Sequence, residues 1–263
     1  MNFTLDWLPQ TAFTFVLIFG RVGTMLMLMP AFGENNIPAR LRLSFALAFT
    51  LVVFPLVASG MPTMPDSLAG MGTLLGHEMG VGFIIGGIAR MIVMATQTAG
   101  SIIAFQMGLS VAMASDPSQP GLQGAIIGNF LTLLGVALIF VTDLHYMVLA
   151  AVYDSYTYFP VEAPLMIEDA AAGAIEAFSG AFDVGVQMAA PFIVFGLVFY
   201  LGLGLLARLM PQLQVFFIAM PANVGIGLIL LAVLLTSVMG WYLSQFENTF
   251  GMLLGSGEAA RIG

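Results

Sequence analysis

The chain contains no cysteine and no lysine, and few charges of either sign. Without cysteine it has no disulfides, thiolate metal ligands or cysteine nucleophile. Six basic residues, all arginine, stand against fourteen acids, giving a formal net charge of −8. No basic cluster is present, so neither a nucleic-acid surface nor a polybasic lipid patch is expected. Charged residues make up 8% of the 263, against about 25% in soluble domains. That is too few to coat a water-facing surface. Disorder is excluded as well, because disordered chains combine low hydrophobicity with high charge. What remains is abundant: 60% apolar residues and a mean hydropathy of +1.02. A polytopic membrane protein, or a subunit buried in an apolar assembly, fits this composition.

A bilayer-crossing helix needs about 20 mostly apolar residues. Charge-free runs extend over 43–65, 91–115, 117–142, 184–207 and 209–246. They predict an all-α protein with six apolar helices near 11–29, 43–59, 76–104, 124–152, 188–207 and 213–243. A seventh arises if 76–95 and 91–115 are separate pieces. The first ten residues, MNFTLDWLPQ, carry an acid and no basic n-region, so they do not read as a cleaved signal peptide. Residues 30–42, 60–70 and 115–121 have the Pro, Gly, Asn and Ser content of loops. The 153–187 stretch holds six acids and no arginine. Within it, Ile167, Ala171, Ala174, Ile175 and Phe178 recur at helical spacing and predict a short amphipathic helix over 166–183. The brief link around Arg208 predicts a hairpin of the last two apolar helices. With six spans, Arg40, Arg42 and Arg208 fall on one side, which places the N-terminus outside.

Charges within apolar helices are costly and face protein or a wet cavity. Arg21, Glu78 and Arg90 are of this kind, as are Asp143 and His145. They read either as an ion pathway or as salt bridges between helices or subunits, the second being favoured. Glu78 and Arg90 lie twelve residues apart, so their partners are expected on other helices or chains. Asp143, His145 and Ser155 have the residue types of a hydrolytic triad, but no nucleophile elbow surrounds Ser155. Two histidines without ligand spacing argue against a metal. Gly76/Gly80, Gly82/Gly86 and Gly124/Gly128 are small pairs four apart, suited to close helix approach. Thr96, Gln97, Thr98 and Ser101 form a polar track. It leads into an apolar, glycine-containing break at 104–117, flanked by Met107 and Met113, which reads either as a water-excluding channel seal or as an ordinary loop.

These residues, in this order, resemble a known family. Arg21 with Pro30 and Phe32, Pro38-Ala-Arg40-Leu-Arg42, and Glu78 with Gly82 and Gly86 open the pattern. Gln106-Met-Gly108, Asp116-Pro117, Asp143-Leu-His145 and Ser155-Tyr156 with Pro160 continue it. Pro191, Gly202, Ala207-Arg208, Pro211-Gln212, Phe216, Pro221, Gly225 and Gly227 complete it. The chain resembles the R-subunit family of the flagellar type III export gate, FliR, whose injectisome counterpart is SctT. The resemblance implies a non-catalytic subunit without cofactor, in the bacterial inner membrane at the flagellar basal body. One R subunit would build a channel for unfolded polypeptides with P-type and Q-type subunits, a B-type subunit and proximal rod proteins alongside. It implies a P-like portion, 1–187, with a plug loop at 105–121, and a Q-like hairpin with tail, 188–263. The plug would be Phe105, Gln106, Met107, Gly108, Leu109, Ser110, Val111, Ala112, Met113, Ala114, Ser115, Asp116 and Pro117. Arg21, Glu78, Arg90 and Arg208 would position helices against neighbours. A stand-alone secondary transporter using Glu78 and Arg90, or the injectisome counterpart of the export gate, is the alternative, and an intramembrane enzyme built on Asp143 and His145 is a further reading.

Overall fold

A computed structural model describes residues 8–34, 37–109, 122–161, 163, 167–210 and 215–253. Regular structure among them is entirely helical. The helices are α1 (Leu8–Leu28), α2 (Ala39–Val57), α3 (Leu68–Gln106), α4 (Leu122–Val141), α5 (His145–Tyr158), α6 (Ile167–Leu209) and α7 (Val215–Leu253). Five are long and apolar enough to cross a membrane, or six if α4 and α5 count as one bent span. The chain is thus an all-α protein of polytopic membrane type.

Three expectations are corrected. The predicted 124–152 helix is broken: α4 and α5 meet at a 79° bend. Asp143, at φ 60°, occupies the break. Asp is among the few L-residues that tolerate left-handed backbone, and its carboxylate competes for local amides. Residues 76–106 show no division: they lie in α3, one helix of 39 residues, and 110–115 lie outside the described residues. The short amphipathic helix at 166–183 does not stand alone either. It continues through Val184–Ala190 and past Pro191 into one helix of 43 residues, despite Gly173, Ser179-Gly180 and Gly185 before the proline. Its predicted apolar side is not covered within the chain: Ile175 is 71% exposed and Phe178 51%.

The chain divides into two compact units. The first comprises 1–91, 140–177 and 247–263. In α1, Thr14, Leu17, Ile18, Arg21, Val22, Met25 and Leu26 are buried. They recur at three- and four-residue steps, the spacing of one helical stripe. Arg21 therefore sits on the core side of α1. The α1–α3 contact is close at two glycines. A Cβ on Gly82 would lie 2.7 Å from the Arg21 carbonyl oxygen, and one on Gly86 2.9 Å from Leu28 Cβ. By contrast, Gly76 has open space. Phe32 stacks on Phe45 (5.2 Å between centroids) and meets Phe140 edge-on at 5.8 Å.

The second unit comprises 92–139 and 178–246. Here α3 and α4 approach so closely that a Cβ on Gly100 would overlap the Gly128 backbone. The polar track pairs across this contact. Thr96 and Gln97 both reach the Thr132 hydroxyl, at 2.7 and 2.8 Å. The C-terminal part of α6 and α7 form an antiparallel hairpin. Asn223 Nδ2 lies 3.5 Å from the Tyr200 hydroxyl, and a Cβ on Gly180 would lie 3.9 Å from Gln245.

Candidate functional site

The first unit holds a buried charge cluster assembled from three helices. Arg21 donates from Nη2 to Glu78 Oε1 at 2.7 Å, and neither side chain is exposed. Nη1 donates to the Ser155 carbonyl at 2.9 Å, and Nη2 also reaches the Phe159 carbonyl at 2.8 Å. Ser155 lies in the last turn of α5 and Phe159 is its C-cap. Carbonyls at a helix C-terminus carry partial negative charge; the Ser155 carbonyl also accepts the Phe159 N–H at 2.9 Å, whereas the Phe159 carbonyl lies past the last helical residue, Tyr158. Arg21 thus caps α5 while pairing with α3. Its guanidinium also lies over the Tyr156 ring, 4.3 Å from the centroid, and Tyr156 donates its hydroxyl to the Ile18 carbonyl at 3.3 Å. His77 donates from Nε2 to the Ala163 carbonyl at 2.7 Å, with Nδ1 3.5 Å from Glu78 Oε1.

Arg90 pairs with Glu34 at 2.8 Å. Glu34 lies in the loop after α1, shaped by Ala31 at φ 72° and by Gly33, whose Cβ would collide with the Met27 carbonyl. Both acid–base pairs are therefore completed inside one chain. Glu78 and Arg90 do not pair with each other. Arg208 is exposed in the last turn of α6, where positive charge suits the helix dipole.

Asp143, His145 and Ser155 are not hydrogen-bonded to one another among the described residues. Asp143 is exposed at the bend. The His145 ring packs against Tyr146 and Phe140, at 4.2 and 5.2 Å between centroids. Ser155 Oγ donates to the Val152 carbonyl at 2.7 Å. No group of three metal-ligating side chains occurs among the described residues.

Of the plug residues, Phe105 to Leu109 are described; Ser110 to Pro117 lie outside the described residues. Phe105 is 64% exposed, whereas Met107 is fully buried. Met107 packs on α7, where a Cβ at Gly227 would collide with it. Gln106 packs likewise against Gly196 of α6.

Two residues of the site escaped sequence reasoning. Glu34 sits in a loop, where an acid is unremarkable. Asn223, buried in α7, donates from Nδ2 to the Gln106 carbonyl at 3.1 Å. The available signal was an amide two residues after Pro221 in an otherwise apolar run.

Sequence comparisons cover nearly the whole chain. The family of bacterial export proteins, family 1, matches residues 12–249. The flagellar biosynthetic protein FliR of Caulobacter vibrioides is 45% identical over 226 residues, 86% of this chain and 90% of the relative. FliR of Bacillus subtilis is 32% identical over 241 residues, 90% of each chain. The Yop proteins translocation protein T of Yersinia pestis is 26% identical over 237 residues, 89% of this chain and 90% of the relative. On these matches, the chain belongs to the bacterial export proteins, family 1.

Proposed function

We propose that this chain is a non-catalytic subunit of the flagellar type III export gate, in the bacterial inner membrane at the basal body. With P-type and Q-type subunits it builds the channel for unfolded flagellar proteins. A B-type subunit and the proximal rod adjoin it, and residues 105–117 close the lumen. The observation that carries this reading is the near-full-length match to flagellar relatives, at higher identity than to the Yersinia protein. The geometry supports it against a stand-alone transporter. Glu78 and Arg90 are each held in a separate pair, so neither is an unpartnered midplane site of the kind transporters use. The helix surfaces support it too. Half of the most apolar stretch of α3 is buried within the chain, but only 17% of that in α6 and 22% in α7. The α6–α7 hairpin has apolar surface for lipid and for neighbouring subunits.

The test is co-purification of the tagged chain with P-type and Q-type subunits, followed by native mass spectrometry. One copy in a large hetero-oligomer is the expected result. A stable monomer that ignores both partners overturns the reading. In the assembled complex, deletion of 105–117 should give an ion leak.

A further inference from the structure

The last turn of α3 is tied to α7 through one side chain. Gln106 is the final residue of α3, so its carbonyl has no partner within the helix. Asn223 supplies the donor, at 3.1 Å, and is itself 2% exposed. Only the amide nitrogen can face a carbonyl, so the hydrogen bond fixes the orientation of the Asn223 side chain. Among the described residues its Oδ1 is buried without a hydrogen-bond partner. Asn223, Tyr200 and Gly108 border a space of about 30 Å³, enough to admit water. The chain turns directly after this bond. Gly108 has φ 73°, and a Cβ there would lie 3.0 Å from Asn223 Nδ2. A buried amide costs free energy unless hydrogen-bonded, and an apolar residue would pack in α7 without that cost.

We infer that Asn223 is a positioning residue: it sets where α3 ends and in which direction the chain leaves it. The inference rests on the gate reading for its link to export, because residues 105–117 start at this joint. It concerns the joint itself and includes no residue beyond Leu109. Asn223 touches no substrate and acts through Gln106 and Gly108.

The test uses the assembled complex in nanodiscs. The chain has no cysteine, so single labels are clean. A spin label is placed at Phe105→Cys, an exposed α3 position beside the joint, and a control label at Phe83→Cys, equally exposed earlier in α3. Asn223→Leu keeps the number and branching of the side-chain heavy atoms and removes the donor. The label at 105 should shift from an immobilised to a mobile spectrum, while the label at 83 stays unchanged. Gly108→Ala, which crowds the same nitrogen, should produce the same local shift. An unchanged spectrum at 105 in either variant overturns the inference, and so does an equal change at both labels. Ion leak, measured in parallel, separates the two readings. A shift at 105 without any leak, where deletion of 105–117 also gives none, keeps the positioning role and removes the gate.

Discussion

Arg21 and Glu78, one turn-face of α1 against one of α3, meet at 2.7 Å with neither side chain exposed. The pair is worth more as a geometry than as a charge attraction. Two desolvated ions offset much of their Coulomb energy, but a lone survivor is severely penalised. Arg21 also holds the Ser155 and Phe159 carbonyls, so its loss removes a donor from the end of α5 as well.

Arg21→Met or Glu78→Leu alone should destabilise the folded chain by about 3–5 kcal/mol. The double variant should recover part of that loss, because no unpaired charge remains. Glu34→Gln should cost less, on the order of 1 kcal/mol or below, since Arg90 is 35% exposed and solvent weakens such pairs. Thermal unfolding of the purified subunit complex checks all four. A double variant as unstable as the sum of the singles refutes the coupling.

Adjacent glycines in α3 should respond with opposite signs. At Gly86 a Cβ would press on Leu28 and the Met25 backbone, while at Gly87 nothing lies within 4 Å. Gly86→Ala should lower the unfolding temperature. Gly87→Ala should raise it, by about 0.5–1 kcal/mol of helix stabilisation, provided no partner occupies that face. Measuring both in the isolated chain and in the complex tests the provision: a Gly87→Ala penalty seen only in the complex marks a subunit contact.

Asp143 should tolerate glycine but not a β-branched residue. Its φ of 60° costs L-residues about 1–2 kcal/mol, and more where branching crowds the backbone. Asp143→Gly should therefore keep wild-type stability and motility. Asp143→Val should lose stability by about 1–2 kcal/mol. Motility assays also test chemistry at this bend: normal swimming by His145→Ala is expected, and its abolition in a fully assembled complex would point to a reactive role.

The helices were largely legible because their signal is local. Long charge-free runs predict where α1, α2 and the core of α3 and α7 lie. The α4–α5 bend was not legible, since Thr142-Asp143 is one polar pair between two apolar runs and helix propensity does not forbid it. Nor was the length of α6, whose acidic first half reads as solvent-facing by composition. The site divided in the same way. Arg21, Glu78 and Arg90 stand out because charge in an apolar run is visible in sequence. Their partners were not visible, because Glu34 and the Ser155 and Phe159 carbonyls become partners only through tertiary packing. A backbone carbonyl has no sequence signature at all.

The cap on α5 has a consequence for the order in which the chain is made. Arg21 precedes Glu78 by 57 residues and the Ser155 carbonyl by 134. For the first 57 residues of that synthesis its guanidinium has neither partner, and until Ser155 is made it has only Glu78. An unpaired arginine at the centre of a bilayer costs about 2.5–3.5 kcal/mol on insertion scales. The helix that carries Arg21 is therefore a poor resident of lipid before its partners are made. Its settled position depends on the arrival of the third helix, and its full set of hydrogen bonds on the end of the fifth.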